Sequence, residues 1–238
     1  MTDKKIIVDC GANNGDDTEY YLKKGFKVIS IEADPDLSIY LVKRFPEYIL
    51  NKDLVVENVA IASEEGEVEF YKNTSDEWSS ILLNSKATQK NEYKTLKVKS
   101  QRLDLILKDV NNIYYIKLDV EGAELFAYEA FVNFKTMPPY TSFELNPDKD
   151  KILSKLISCG YNHFQISRQG QKYLNLNKHL PSKEGNDFDI MFTNRHSGCF
   201  GKDLNGKWLS FPELEKEILS LDWISAWYDV HARHNSVV

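Results

Sequence analysis

The 238-residue chain is long enough for one α/β domain with a substantial core, and its net charge of −6 argues against a general nucleic-acid binder. It shows no N-terminal apolar segment and no apolar run of about eighteen residues, so we expect neither a signal peptide nor a membrane span. Its cysteines, Cys10, Cys159 and Cys199, lack the spacing of a zinc site or a disulfide framework. A reducing, cytoplasmic location is the simplest expectation.

The first third of the chain alternates between strand and helix patterns. Residues 6–8 form a short β-branched run that ends at a glycine-rich turn, which predicts a buried parallel strand. Residues 26–31 and 54–62 predict two further strands, and a helix begins at Asp34-Pro35 between them. This order is typical of a doubly wound α/β protein.

Between residues 65 and 103 the pattern changes. Val68 and Phe70, and then Leu96 and Val98, alternate with polar residues, which predicts an antiparallel pair. The intervening polar loop, residues 73–94, is long enough to be a functional lid or a mobile insertion.

Strands and helices alternate again in the second half of the chain. The patterns predict strands at 113–118, 140–145, 161–167 and 188–193, and helices at 123–134 and 147–159. A Rossmann-like, mostly parallel sheet is therefore the predicted architecture. We assign residues 1–196 to the main domain and residues 197–238 to an extension that packs on it.

The turn after the first strand, in the stretch VDCGANNGDD, places Asp9, Gly11 and Gly15 in a fixed frame. Gly11 follows the strand directly, where the backbone turns sharply and a ligand can come close. The N-terminus of the next helix suits a carboxylate or a phosphate. Glu32 ends the second strand, about where such folds place an acid that grips a ribose diol. These residues predict an adenosine-type ligand.

The absence of residues that other nucleotide-binding motifs require narrows the choice of ligand. The frame lacks the third glycine of a dinucleotide motif and the lysine of a triphosphate loop. Asp9 would repel a pyrophosphate but could attract an ammonium group. S-adenosylmethionine has a ribose, an ammonium group and a carboxylate but no phosphate, and it is the ligand that the pattern favours. The alternative is a structural glycine turn with Glu32 as a surface acid.

Three segments in the same order, VDCGANNGDDT, SIEADP and YIKLDVEGAEL, resemble the FkbM family of S-adenosylmethionine-dependent methyltransferases over residues 6–146. The resemblance implies a class I methyltransferase fold, with a seven-stranded sheet whose last strand is antiparallel, and methyl transfer to oxygen. It implies that residues 58–60 flank the adenine. The cofactor contacts implied are Asp9, Gly11, Ala12, Asn13, Gly15, Thr18, Glu32, Ala33 and Ala60.

Carboxylates follow two later strands at the point where each strand ends. Asp119 and Glu121 follow one strand and Glu144 ends the next, so all three should meet at the edge that holds the glycine turn. We predict that they are catalytic, with Asp119 also contacting the cofactor. Since sugar hydroxyls are weak acids, the cluster would supply a base or hold a divalent metal ion, Mg²⁺ or Mn²⁺.

The tail is aromatic and acidic and contains histidines. It resembles, more loosely, the extension of FkbM relatives that act on sugars, which implies a sugar acceptor and a catalytic role for His231. His231 and His234 could also pair as metal ligands on one helical turn. The alternative is a tail helix that packs on the domain, with a buried side formed by Leu214, Ile218, Leu221, Trp223 and Ile224.

The leading hypothesis is an O-methyltransferase that acts on a sugar hydroxyl of a glycan, a lipopolysaccharide, another polysaccharide or a nucleotide-sugar precursor. A second hypothesis keeps the cofactor but takes a macrolide or a phenol as acceptor. A third is a non-catalytic, cofactor-binding partner subunit. A dinucleotide-dependent oxidoreductase is disfavoured by the glycine spacing.

Overall fold

The computed structural model describes residues 4–73, 79–83, 88, 93–178, 181–222 and 226–237. Its strands are β1 (Ile6–Cys10), β2 (Lys27–Ile31), β3 (Leu54–Glu57), β4 (Ala60–Ile61), β5 (Gly66–Asn73), β6 (Tyr93–Gln101), β7 (Ile113–Leu118), β8 (Tyr140–Glu144), β9 (Tyr161–Arg168) and β10 (Tyr228–His234). Its helices are α1 (Asp16–Lys23), α2 (Pro35–Arg44), α3 (Pro46–Leu50), α4 (Leu103–Ile106), α5 (Glu124–Ala130), α6 (Lys149–Ser158), α7 (Gln171–Asn177) and α8 (Phe211–Ser220).

Seven of these strands form the main sheet, in the order β3-β2-β1-β7-β8-β10-β9. The first five run parallel, and β10 is antiparallel to both β8 and β9. This arrangement confirms the predicted doubly wound sheet with one antiparallel strand. The strand order reverses between β1 and β7, and ligands of such sheets bind in the crevice outside the carboxyl ends of the strands at this point.

Side chains that alternate along each strand bury two apolar layers, one on each face of the sheet. On one face, Val8 and Ile116 pack with residues of α4, α5, α6 and α8. On the other face, Ile7 and Tyr115 pack with residues of α1, α2 and α7. Because each strand residue alternates between faces, the near-continuous apolar runs of β1 and β7 fit a sheet that is covered on both sides.

The prediction of a strand at residues 188–193 is wrong, since the structure forms none there. Its apolar residues instead cover α1: Phe192 is fully buried, and its ring lies 5.2 Å from that of Tyr20 in an edge-on arrangement. The alternation that predicted a strand therefore reflects packing of an extended segment on a helix. The main sheet takes β10 in its place, and β10 lies within the predicted tail extension.

The antiparallel excursion is confirmed. Strands β5 and β6 pair with Val68 opposite Val98 and Phe70 opposite Leu96. The predicted third strand, 54–62, divides into β3 in the main sheet and β4 in the small sheet with β6. Between them the Asn58 amide donates to the carbonyl oxygens of Glu32 and Ala33, at 2.9 and 3.2 Å, which turns the chain from one sheet to the other.

Parts of two sequence predictions lie outside the described residues. These are most of the polar loop at 73–94, and Trp223 and Ile224 of the tail. The tail helix itself is present as α8, with Leu214 and Ile218 buried and the capping box between Ser210 and Glu213 formed. Within the described ranges no helix combines the length and apolar character needed to cross a bilayer. The three cysteines are free thiols.

Candidate active site

The glycine turn is held between the ends of β2 and β7. Gly11 adopts φ 77°, and the backbone N–H groups of Gly11 and Ala12 both donate to the carbonyl of Ile31, at 2.9 and 3.2 Å. A Cβ atom at position 11 would lie 1.8 Å from the backbone oxygen of Asp119. Only glycine therefore fits where the loop passes the end of β7.

Gly15 sets the direction of α1. It adopts φ 85° immediately before the helix, and a Cβ atom there would lie 2.6 Å from Leu41 and 2.7 Å from Phe45. The close packing of α1 against α2 thus requires glycine, and it directs the N-terminus of α1 at the carboxyl edge of the sheet.

Glu32 is buried and not the surface acid of the alternative interpretation. It is 6% exposed, and its two oxygens accept the backbone N–H groups of Asn13, at 2.7 Å, and Asp34, at 2.8 Å. Burial raises the pKa of the Glu32 carboxyl to about 7, against the lowering effect of these hydrogen bonds. Each oxygen keeps a second lone pair, so the carboxylate can still accept from a ligand diol.

Glu32 lines a cavity at the end of β2. Its apolar walls are formed by Ala33, Leu37, Val59, Ala60 and Ile61. An acid beside flat apolar walls suits a nucleoside, with its ribose at the carboxylate and its base between the walls. The predicted residues Ala33 and Ala60 both line this cavity.

The described part of the predicted polar loop contacts this region. Ser79, Ser80 and Ile81 line the cavity, and the Ser80 hydroxyl donates to the backbone oxygen of Glu121 at 2.8 Å. A role of the whole loop as a lid remains a prediction.

A second cavity adjoins the first across the end of β7. Residues that line both are Gly11, Asn13, Asp119 and Glu121. Ala12 lines the second, whereas the predicted residues Asp9, Gly15 and Thr18 are not among those that line either cavity. Asp9 and Thr18 lie beneath the turn and support it, and the Thr18 hydroxyl donates to the Asp9 carboxylate at 2.6 Å.

Lys117 is a functional residue that the sequence reasoning missed. It lies in β7, 4% exposed, with its Nζ atom 3.5 Å from Asp9, 3.1 Å from Asp17 and 3.4 Å from Asp119. Although burial acts to lower it, these carboxylates raise the pKa of Lys117 well above its usual range. A lysine inside the apolar strand sequence YYIKL was the available signal, because a buried ammonium group requires partners.

Asp9 shows the other side of this ion cluster. Burial raises its pKa to about 6, although Lys117 acts to lower it. Asp9 therefore supports the turn as a buried acid next to the ammonium group of Lys117.

The three predicted catalytic carboxylates come together. Asp119, Glu121 and Glu144 each offer an oxygen within 4.8 Å of the others, at the boundary of the two cavities. Oxygens at this spacing suit hydrogen bonds to a hydroxyl group or contacts to a hard cation. Exposed acids at such spacing do not by themselves identify a metal site.

Glu124 holds the turn that carries Glu121. It is buried, and its carboxylate accepts the N–H groups of Val120, at 3.0 Å, and Gly122, at 3.2 Å, and the amide of Asn146, at 2.8 Å. Burial raises its pKa to about 7. This network keeps Glu121 at φ 51° and fixes the turn at the cavity edge.

β10 brings the tail to the site. Asp229 pairs with Glu144 across β8 and β10, and both line the second cavity with Trp227. Burial, followed by the nearby charges of Asp119 and Glu144, raises the pKa of Asp229 well above its usual range. The sequence did not single out Asp229 as a site residue, since its partner Glu144 lies 85 positions earlier.

His231 lies below the cavity and is not among the residues that line it. It is 2% exposed, pairs with Ser142 and Gln165, and neither ring nitrogen has a hydrogen-bond partner among the described residues. Burial lowers its pKa to about 4, so the ring is neutral near pH 7. The helical pairing with His234 is wrong: both lie in a strand, where residues three apart face opposite sides.

Residues 194–197 form another wall of the second cavity. Asn194, Arg195, His196 and Ser197 line it, and the backbone N–H of Ser197 donates to both Asp17 oxygens, at 2.9 and 3.1 Å. Asp17 thus connects this wall to α1 and to Lys117.

The sheet order, the antiparallel seventh strand and the glycine turn that faces Glu32 define a class I methyltransferase-type fold. The family model of the methyltransferase FkbM domain matches residues 9–162, more than half of the chain, and the chain therefore belongs to that family. Membership implies S-adenosylmethionine as the methyl donor. No curated protein matches the chain.

Among solved structures, the chain is similar to the methyltransferase FkbM from Methylobacillus flagellatus KT, with 19% identity and a TM-score of 0.46 over 77% of this chain and 42% of that one. It thus spans less than half of that protein's length. It is also similar to a precorrin-6y C5,15-methyltransferase from Geobacter metallireducens GS-15, with 10% identity and a TM-score of 0.43 over 99% and 82% of the two chains. Similarity this low does not extend to substrates.

The Gly11→Ala change tests the turn. We expect it to lower the free energy of unfolding by more than about 2 kcal/mol and to abolish binding of S-adenosylmethionine, because the new Cβ would overlap the Asp119 carbonyl. Gly66→Ala is the matched control, since Gly66 also has a positive φ but no atom within 4 Å of its Cβ position. Denaturant unfolding and calorimetry measure both effects, and equal behaviour of the two variants would refute the interpretation.

Burial of neutral His231 predicts a pH dependence of stability. Its folded pKa, about 4, is below that of an unfolded histidine, so stability falls as the pH drops from about 6.5 towards 4. At pH 5 the loss is about 2 kcal/mol. The stability of the wild type relative to His231→Leu should fall by this amount between pH 7.5 and 5. A difference that does not change with pH would contradict the buried, neutral ring.

Proposed function

We propose that the chain is an S-adenosylmethionine-dependent O-methyltransferase that methylates a sugar hydroxyl of a glycan, a polysaccharide or a sugar precursor. The observation that carries the proposal is that the two cavities are adjacent. The one beside Glu32 suits a nucleoside, and it shares Asp119 and Glu121 with the one that is lined by carboxylates and Trp227.

The residues of the first cavity and of the turn fit the cofactor. Glu32 has lone pairs for the ribose hydroxyls, and Ala33 and Ala60 offer apolar contacts for the adenine. The positive end of α1 and the backbone near Ala12 and Asn13 face the adjoining cavity and suit the carboxylate of the methionine moiety. When bound, the cofactor supplies an activated methyl group on a sulfonium.

The second cavity offers the groups that a sugar requires. Trp227 is 55% exposed and presents an indole face on which a sugar ring can pack. Gln169, Asn194 and Arg195 add hydrogen-bond donors around it. We therefore place the acceptor between Trp227 and the carboxylates of β7 and β8.

The carboxylates would orient the acceptor hydroxyl and take its proton. Asp119, Glu121 and Glu144 lie at the boundary of the two cavities, where the hydroxyl oxygen must be aligned with the methyl carbon. His231 lies below this boundary, so any contribution from it acts through Asp229 on the same strand. A Mg²⁺ or Mn²⁺ ion among the three carboxylates would be a variant of the same mechanism.

A methyl-transfer assay with labelled S-adenosylmethionine and a panel of methyl glycosides and phenols tests the proposal. We expect label in a glycoside, and we expect Asp119→Asn and Glu144→Gln to lower kcat about 100-fold or more, with the Kd of the cofactor changing less than about 3-fold in Glu144→Gln. Glu129→Gln, on the exposed side of α5, is the control and should behave as the wild type.

Each other outcome of the assay has a separate meaning. Binding of NAD in place of S-adenosylmethionine would refute the proposal. Label in phenols but not in glycosides would show that the acceptor is a small molecule and not a sugar. Cofactor binding without transfer to any acceptor would favour a partner subunit. Loss of activity with EDTA and recovery with Mg²⁺ or Mn²⁺ would establish the metal variant.

A further inference from the structure

Acidic groups dominate the second cavity. Among the described residues that line it are six carboxyl groups and two cationic side chains, Lys117 and Arg195. The carboxyl groups belong to Asp16, Asp17, Asp119, Glu121, Glu144 and Asp229. The two positive charges of a bound S-adenosylmethionine would leave the acids in excess.

Of the two cations, Lys117 is already engaged with carboxylates. Lys117 is buried and lies within 3.5 Å of Asp9, Asp17 and Asp119. Arg44 pairs with Asp16 at 2.8 Å, and this balances that acid at the outer end of the cavity. Glu144 therefore brings negative charge to the inner wall, where β8 and β10 pair.

Asp229 provides an independent sign of a ligand. Its side chain is 8% exposed and lines the cavity, yet within the described ranges it takes part in no hydrogen bond or ion pair. Buried polar groups are normally hydrogen-bonded, since burial without a partner is costly. A carboxyl group left in this way at a cavity wall indicates a partner that the ligand supplies.

We infer that the acceptor is a sugar without an anionic substituent, that Asp229 binds one of its hydroxyl groups, and that the charge of Glu144 repels anions. The inference rests on the proposed function and specifies its substrate class. A neutral sugar donates hydrogen bonds to both carboxyl groups and packs on Trp227. A phosphate would approach a wall whose acids, among the described residues, outnumber Lys117 and Arg195, and like charges in such a cavity repel strongly.

The inference also places the reaction in a sequence. A sugar that is still linked to a nucleoside diphosphate carries a pyrophosphate next to the ring, so it would be excluded. The glycosyl transfer that releases the nucleotide must therefore come first, and methylation acts on the resulting glycoside. A sugar precursor in the activated form would not be the substrate.

The test uses one sugar in three forms: the methyl glycoside, the sugar 1-phosphate and the nucleoside diphosphate sugar. For the full chain we expect kcat/KM of the glycoside to exceed that of both anionic forms by about 10-fold or more, and the ratio to fall as salt is raised. Glu144→Gln should reduce the ratio several-fold, whereas Asp150→Asn, whose side chain is 82% exposed on α6, should leave it unchanged. The ratio compares two substrates of the same variant, so a general loss of activity does not affect it.

Binding to the chain loaded with S-adenosylhomocysteine gives a second measurement, which does not require turnover. The glycoside should bind more tightly than the 1-phosphate. Equal or better use of the anionic forms would overturn the inference and leave the methyltransferase proposal intact. Transfer to phenols with no transfer to any of the three sugars would overturn both.

Discussion

The site depends on the ion pairs that the ammonium group of Lys117 forms with three acids. This group lies in the middle of the sheet, and three acids converge on it: Asp9 from β1, Asp17 from α1 and Asp119 from the end of β7. Removing one member of a buried ion pair costs about 3–5 kcal/mol, because the remaining charge is left without compensation. Lys117 thus lets three carboxylates approach one another at the carboxyl edge, where α/β sheets bind ligands.

This ion cluster connects parts of the chain that are far apart in sequence. Asp17 also accepts the N–H of Ser197, so the wall of the second cavity is fixed to the first helix. β10 enters the sheet between β8 and β9 and brings Trp227 and Asp229 beside Glu144. The side that we assign to the cofactor therefore comes from the start of the chain, and much of the acceptor side comes from its end.

Much of this arrangement could be predicted from local sequence. The turn around Gly11, the acid at Glu32 and the antiparallel pairing of β5 and β6 follow from glycine positions and a period of two. The tail strand is different. Tyr228, Val230 and Ala232 do alternate with polar residues, but the place of the segment in the sheet depends on β8 and β9, which lie 60 or more residues earlier. Segment 188–193 is also rich in apolar residues and packs on a helix, so the apolar pattern alone could not separate the two cases.

A crystal structure of the chain with S-adenosylhomocysteine tests the central claim most directly. We expect that the ribose hydroxyls contact Glu32, that the adenine lies between Ala33 and Ala60, and that the sulfur faces the boundary between Asp119 and Glu144. A nucleoside bound outside the cavity at the end of β2, or a sulfur that faces away from these carboxylates, would contradict it.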